Sequence, residues 1–110
     1  MSYIVRPKKS LGQHFLIDLN IAQAIADTLD NYKNTPKLEV GPGMGVLTQY
    51  LLSKGHDLTV VELDHESIEY LQENFPELKG HILEEDFLKL DLSKLFSGNF
   101  CVIGNYCLLY

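Results

Sequence analysis

The sequence predicts an α/β fold in which parallel strands alternate with helices. From Lys37 onward, short apolar runs of strand length are separated by segments whose apolar residues recur at helical spacing. A glycine-rich loop follows the first of these runs, and each run ends at a polar residue. Strands joined by helices pair in parallel through right-handed crossovers, so the expected architecture is Rossmann-like.

Length and composition fit one globular unit. The chain has 110 residues, 45% of them hydrophobic, and no apolar run approaches the ~20 residues that a membrane span needs. Cys101 and Cys107 are too few for a disulfide scaffold and lack zinc-site spacing, so we expect reduced thiols and no metal site. The N-terminus has no apolar signal core, which favours a cytoplasmic protein without a membrane partner.

The charge is unevenly distributed along the chain. The formal net charge is -6, yet the first 37 residues hold five basic and three acidic residues, whereas the remainder holds four basic and twelve acidic ones. A mildly basic arm therefore precedes an acidic body. Such an arm suits contact with phosphates, while the acidic body argues against a broad nucleic-acid surface.

The segment before the predicted sheet is expected to contain an arm and a helix. Residues 6–15 are polar, basic and interrupted by Pro7 and Gly12, which indicates an extended arm or loop. Asp18 is a candidate N-cap for an amphipathic helix, which a turn at residues 31–36 follows. The apolar stripe of this helix comprises Ile21, Ala22, Ile25, Ala26 and Leu29. We accordingly divide the chain into an arm, residues 1–17, and a domain, residues 18–110.

Four strands are predicted within that domain. They occupy residues 38–40, 58–61, 81–83 and 101–103. The helix after the first strand runs from Val46 to a C-terminal cap at Gly55. The next helix begins after a cap at Asp64 and stops at Pro76.

Polar residues follow the strands where a ligand would bind. In open parallel sheets, ligands occupy the crevice at the carboxyl ends of the strands. The residues at these ends are Glu39 with the glycine loop, Glu62, Asp86 and Asn105. Turns are commonly polar, which explains any one of these residues better than all four together.

The acidic residues near the glycine loop favour a cationic ligand. The loop at residues 41–45 departs from the dinucleotide fingerprint because Val46 stands where its last glycine belongs. Carboxylates at Glu39, Glu62 and Asp86 would repel a pyrophosphate, whereas a sulfonium and an ammonium group would be attracted. The pattern therefore favours S-adenosylmethionine over NAD as the cofactor.

Two of these acids have specific expected roles. Glu62 follows the glycine loop by about twenty residues, the spacing at which a carboxylate accepts hydrogen bonds from ribose hydroxyls. Asp86 is expected to accept a hydrogen bond from the adenine amine, with Leu63 and Phe87 offering apolar surface to the ring.

Three segments of the sequence resemble the small-subunit ribosomal RNA adenine N6,N6-dimethyltransferases. They read KKSLGQHFL at residues 8–16, EVGPG at 39–43 and VELD at 61–64. The resemblance extends from about Pro7 to Asn105, and its QHFL segment is the most specific part. It implies a class I methyltransferase fold that uses S-adenosylmethionine to dimethylate two adjacent adenosines of the small-subunit RNA, within a pre-30S-type particle. It also implies a monomer for the full-length form.

The resemblance also implies a set of site residues. The arm would contact the cofactor through its QHFL segment, and the glycines would line its methionine part. The cofactor-binding residues implied are His14, Leu16, Gly41, Gly43, Glu62, Asp86 and Asn105. Asn105 is in addition the expected catalytic residue, because family members hold the target amine with the side chain of this Asn.

The segment after Asn105 departs from the family pattern. Family members continue with an apolar or aromatic residue, Pro and an aromatic ring that stacks on the flipped adenine, which positions the nitrogen for in-line displacement. Here Tyr106 fits, but Cys107 replaces the Pro and Leu108 replaces the aromatic residue. We expect a fold truncated after about the fourth strand, without the C-terminal RNA-binding domain of the family, and an unstable, inactive fragment.

Three alternatives remain open at this point. The large-subunit adenine dimethyltransferases of the macrolide-resistance type share the cofactor motifs but match the arm less well. A non-catalytic RNA-binding or assembly factor would explain the altered segment after Asn105. An NAD-binding domain is disfavoured by Val46 and by the acidic surroundings of the loop.

Overall fold

The N-terminal segment forms an antiparallel hairpin. Strand β1 (Tyr3–Lys8) pairs with β2 (Gln13–Asp18), with Pro7 opposite His14. The computed structural model describes the backbone of residues 3–8 and 13–104, and the side chains from residue 19 to residue 104. The extended arm expected here is thus two paired strands. Pro7 is tolerated because both strands of a two-stranded sheet are edge strands.

Four parallel strands form the main sheet. They are β3 (Lys37–Val40), β4 (Leu58–Val61), β5 (Ile82–Leu83) and β6 (Cys101–Gly104). Their spatial order is β5-β4-β3-β6, and every pair is parallel. The predicted Rossmann-like sheet is confirmed. Chain order reverses between β3 and β6, which makes the carboxyl ends of these two strands the switch point where ligands bind in such sheets.

Four helices accompany the strands. They are α1 (Leu19–Asp27), α2 (Val46–Ser53), α3 (His65–Asn74) and the short α4 (Leu92–Leu95). Helix α1 packs against α2 and buries Ala22 and Ala26, whereas Ile21 is 44% exposed. The prediction that Ile21 faces the core is wrong. Two alanines four residues apart let the helices approach closely, and this narrow contact leaves Ile21 outside it.

The predicted ends of the crossover helices are confirmed. Asp64 caps α3 by accepting a hydrogen bond from the Ser67 amide, and Pro76 begins a 3-10 turn just beyond the helix. Helix α2 ends at Ser53, and Gly55, the predicted C-terminal cap, follows two residues later with a left-handed φ of 80°. The amides of Gly55 and His56 donate to the carbonyls of Leu52 and Leu51, which satisfies the last carbonyls of the helix.

The core lies between the sheet and the helices. Its centre includes Leu38 and Val60 from the strands and Leu47, Leu51 and Leu71 from α2 and α3, each at most 1% exposed. No helix among residues 19–104 is long and apolar enough to cross a membrane. This packing fixes the carboxyl ends of β3 and β4 beside the start of α2, where the glycine loop lies.

Candidate functional site

The glycine loop turns sharply between β3 and α2. Gly41, Gly43 and Gly45 all have positive φ, at 65°, 58° and 81°. The Gly41 amide donates to the Val61 carbonyl over 2.9 Å, which ties the start of the loop to the end of β4. A Cβ built on Gly41 would meet no described atom within 4 Å. With respect to the described residues, the backbone at Gly41 therefore faces open space that a ligand can enter.

Gly45 is required for a different reason. A Cβ at this position would lie 2.4 Å from Cε2 of Phe75, the residue that ends α3. The loop is thus packed directly against an aromatic ring that follows the second crossover helix. This role of Gly45 was not predicted, because the contact joins residues thirty positions apart and no local sequence pattern indicates it.

Glu62 connects the glycine loop to the end of β4. Its Oε1 accepts a hydrogen bond from the Gly43 amide over 3.0 Å. Its Oε2 accepts from the amides of Leu63 and Asp64 over 2.9 and 3.1 Å. A carboxylate offers about four acceptor positions, so one remains on Oε1 for a hydroxyl donor. The residue is only 7% exposed, and its geometry fits a single ribose hydroxyl without loss of an existing bond.

Glu39 lies behind the same loop. This residue of β3 is 1% exposed, and its Oε1 accepts a hydrogen bond over 2.6 Å from the hydroxyl of Thr48 on α2. Thr48 is itself fully buried. Burial raises the pKa of Glu39 to about 8, against the lowering effect of the Thr48 hydroxyl and with a smaller contribution from the nearby Glu62. Glu39 is therefore mostly protonated at pH 7 when no ligand is bound.

The protonation of Glu39 changes the electrostatic argument made from the sequence. Three ionised carboxylates around the loop were expected to repel a pyrophosphate. With Glu39 neutral, the negative charge near the loop comes from Glu62, and Asp86 lies farther along the sheet edge. The preference for a cationic ligand then depends on fewer charges. The hydrogen bond between Thr48 and Glu39 was not predicted from the sequence, although a Thr in the first turn after the loop could have indicated it.

Asp86 follows β5 and caps a short 3-10 turn. Its Oδ1 accepts a hydrogen bond from the Leu88 amide over 3.0 Å, and the residue is half-buried. Leu63 is 58% exposed and Phe87 is half-buried, so apolar surface is available where the sequence analysis expected an adenine ring. No described contact joins Asp86 to Glu62. The two lie on neighbouring strand ends, because the Glu62 amide donates to the Leu83 carbonyl.

Several predicted site residues have side chains outside the part of the chain that the structure describes. His14 and Leu16 belong to β2, opposite Pro7 and Val5, but their side chains lie outside the described residues, as does that of the proposed cap Asp18. Asn105 and residues 106–110 also lie outside them. Within residues 19–104, no group of three or more His, Cys, Asp or Glu side chains is placed to hold a metal ion.

Solved structures with this fold are methyltransferases. The 23S rRNA methyltransferase ErmE aligns with a TM-score of 0.62 and 30% identity, over 79% of this chain and 35% of that chain. The glycopeptide N-methyltransferase MtfA, solved with sinefungin, aligns with a TM-score of 0.53 and 21% identity, over 66% of this chain and 35% of that chain. Together with the sheet order, they identify the class I methyltransferase fold expected from the sequence.

Comparison of the sequence with known families places the chain in a narrower group within this class. A family model described as ribosomal RNA adenine dimethylase matches residues 4–107, and the chain belongs to that family. A protein of Parabacteroides distasonis called ribosomal RNA small subunit methyltransferase A is 75% identical over 103 residues, which are 94% of this chain and 39% of that protein. A protein of the same name from Porphyromonas gingivalis is 62% identical over 93% of this chain and 40% of its own length. The chain thus spans about two fifths of the curated relatives it matches.

Proposed function

We propose that the chain forms the cofactor-binding part of an enzyme that dimethylates N6 of two adjacent adenosines in small-subunit ribosomal RNA. The observation that carries this proposal is the loop at Gly41, open on one side and held by Glu62, in a member of the adenine dimethylase family. The relatives at 75% and 62% identity are named for the small subunit. The substrate would be presented in a precursor of that subunit, in the cytoplasm, to a monomeric full-length enzyme.

The residues around the loop fit S-adenosylmethionine. The backbone at Gly41 would admit its methionine part, which Gly43 is also proposed to line, and the free acceptor position on Glu62 would take a ribose hydroxyl. Asp86 would accept from the adenine amine, and Leu63 and Phe87 would cover the ring. When bound, this cofactor supplies an electrophilic methyl group on a sulfonium. The chain's own contribution at this edge is to bind and orient it.

Asn105 is proposed to hold the target amine. It directly follows β6 in the sequence, and β6 ends beside β3 at the switch point of the sheet. An Asn side chain and the next backbone carbonyl both accept hydrogen bonds, which would direct the nitrogen lone pair away from them. His14 and Leu16, on the hairpin, are proposed to contact the cofactor from the other side.

Substitution of Glu62 tests the cofactor site. Glu62→Ala removes an acceptor for the ribose and leaves the Gly43, Leu63 and Asp64 amides without their partner. We expect S-adenosylmethionine to bind more weakly by about 1.5–3 kcal/mol, measured by calorimetry. Glu84→Ala, an exposed carboxylate just beyond β5, is the matched control and should change binding little. Equal affinity of Glu62→Ala and the unsubstituted chain would remove Glu62 from the site.

The likeness to ErmE keeps a large-subunit substrate as the second candidate. That structure is 30% identical, a lower value than for the small-subunit relatives. Primer extension on both ribosomal RNAs distinguishes the two, because dimethylated adenine stops the polymerase. The 110-residue chain alone is expected to be inactive, and the full-length protein is expected to modify the small-subunit RNA only. A stop in the large-subunit RNA alone would favour the second candidate.

A further inference from the structure

A buried carboxyl group lies directly behind the glycine loop. Glu39 is 1% exposed and is held by the hydroxyl of Thr48, which lies on the opposite side of the loop in sequence. The 2.6 Å bond between them therefore spans the base of the loop, from the strand before it to the helix after it. A change in the charge of Glu39 acts on the part of the chain that would contact a cofactor.

The charged group that faces Glu39 is also acidic. Glu62, at the end of β4, also raises the pKa of Glu39, but burial has the larger effect. From α2 the facing group is the uncharged Thr48 hydroxyl, and the residue paired with Glu39 on β6 is the apolar Ile103. Glu62 accepts three amide hydrogen bonds, whereas Glu39 accepts one hydroxyl hydrogen bond and is the more deeply buried of the two. Burial disfavours the charged form of a carboxyl group, so Glu39 holds a proton.

We propose that Glu39 senses the charge of the cofactor: it keeps its proton while no cofactor is bound and releases it to solvent when a cationic cofactor binds at the glycine loop. This inference rests on the proposed function, which provides a ligand with a sulfonium and an ammonium group. The only covalent change is loss of the carboxyl O–H proton to the buffer. A cation close to a carboxyl group favours its ionised form, and the ionised form in turn attracts the cation.

The proposal predicts a defined pH dependence of binding. An opposite charge within ~4–6 Å lowers a carboxyl pKa by about 1–3 units. Starting from a pKa of about 8, Glu39 should release roughly 0.4–0.9 proton on binding at pH 7, and only about 0.1 at pH 9. The affinity should rise roughly tenfold to a hundredfold from pH 6 to pH 9, because ionised Glu39 is the form that favours the cation.

Calorimetry with S-adenosylmethionine measures the released proton directly. Titrations at pH 7 and at pH 9 in buffers of different ionisation enthalpy give the proton number, which includes the contribution of the cofactor's own amino group at each pH. The difference between the unsubstituted chain and Glu39→Gln isolates the proton of Glu39, which should be about 0.4–0.9 at pH 7 and about 0.1 at pH 9. Glu39→Gln keeps an acceptor for the Thr48 hydroxyl but cannot ionise, so its proton number should reduce to the contribution of the cofactor's own amino group. Glu73→Gln, an exposed carboxylate on α3, is the matched control and should behave like the unsubstituted chain.

The outcomes separate this inference from the cofactor proposal. Binding without proton release at pH 7, or equal proton numbers for Glu39→Gln and the unsubstituted chain, would overturn the role of Glu39 and leave the cofactor unaffected. Absence of S-adenosylmethionine binding from pH 6 to pH 9 would overturn both. If Glu39→Gln does not fold, the sign of the proton number at pH 7 in the unsubstituted chain decides. An amino group that is bound as an ammonium can only take up protons, so net release supports Glu39 and net uptake contradicts the proposal.

Discussion

Two structural features of Gly45 would make an added methyl group at this position destabilising. Its φ of 81° is left-handed, which costs an L-residue about 1–2 kcal/mol. A Cβ would also lie 2.4 Å from Cε2 of Phe75, and overpacking of this kind costs about 1–3 kcal/mol. We expect Gly45→Ala to lower the free energy of unfolding by about 2–5 kcal/mol, measured by urea denaturation.

Gly80 provides the matched control for this substitution. Its φ of 82° is nearly the same, but no described atom lies within 4 Å of a Cβ placed there. Gly80→Ala should therefore cost only the backbone term of about 1–2 kcal/mol. Equal losses for the two variants would show that the Phe75 ring moves aside freely and that the close approach at Gly45 has no energetic weight.

His56 is a buried polar residue whose replacement should stabilise the chain. It is 5% exposed, and among the described residues neither ring nitrogen has a hydrogen-bond partner. A buried unsatisfied group costs about 1–3 kcal/mol, so His56→Leu should raise the free energy of unfolding by about 1 kcal/mol at pH 8. His81→Leu, at an exposed position, should change it by less than about 0.5 kcal/mol. A loss on His56→Leu would indicate that an internal water satisfies the ring.

Helix α3 depends on its cap for the position of the chain after Glu62. Asp64 accepts hydrogen bonds from both the amide and the hydroxyl of Ser67, over 3.2 and 2.7 Å. Loss of an N-cap costs about 0.5–2 kcal/mol, so Asp64→Ala should lower the unfolding free energy by that amount in chemical denaturation. Asp64→Ser retains a capping oxygen and should lose less. Equal losses would mean that the cap contributes nothing through its hydrogen bond.

Local signals predicted the elements of the sheet and its crossover helices. The C-terminal cap after α2 at Gly55, the cap at Asp64 and the stop at Pro76 are each properties of a few neighbouring residues, and the structure has all three. The pairing of the arm into a hairpin was not predicted, because Pro7 and Gly12 suggest a break rather than a strand. Ile21 was misplaced since helical spacing alone does not give the width of the packed face.

Contacts distant in sequence account for what was missed at the site. The motif identified Glu62 correctly as a residue at the loop, yet its three bonds to backbone amides follow from the fold. Likewise, the contact of Gly45 with Phe75 and the pairing of Glu39 with Thr48 join separate elements. Sequence spacing can place a residue at a strand end, whereas its protonation depends on how completely the other elements cover it.

The molecule as a whole concentrates its proposed chemistry at one edge. The glycine loop, Glu62 and Asp86 all follow strands of the same parallel sheet, and the switch between β3 and β6 lies beside them. Twelve of the fifteen acidic residues follow Lys37, and Glu39, Glu62 and Asp86 are the ones at or just beyond the carboxyl ends of the strands. The net charge of -6 is compatible with an RNA-modifying family, because the first 37 residues hold five of the nine basic residues and only three of the acidic ones.

Two buried groups make the stability of the whole chain depend on pH in opposite directions. Burial lowers the pKa of His56 below its usual 6.5, helped by Lys37, Lys33 and Lys54 and opposed by Asp30. The unfolded chain then binds more protons below pH 6.5, so this group reduces stability as the pH falls through that value. Glu39 has the opposite sign, because its folded pKa of about 8 exceeds the ordinary 4.5 and the folded chain holds the extra proton.

Above about pH 7.5, one unit beyond the ordinary His pKa of 6.5, only the second of these effects should remain. Between pH 6.5 and pH 8 the unfolded chain has already ionised Glu39, and the folded chain has not, so stability should fall by up to about 1.4 kcal/mol per pH unit. Urea denaturation at pH 6.5, 7.2 and 8 measures this slope, and Glu39→Gln should largely remove it while His56→Leu should not. A profile that stays flat in the unsubstituted chain would mean that Glu39 is ionised in the folded state. Because the same proton opposes a cationic ligand, the slope of stability and the share of Glu39 in the proton number of cofactor binding should disappear together in Glu39→Gln.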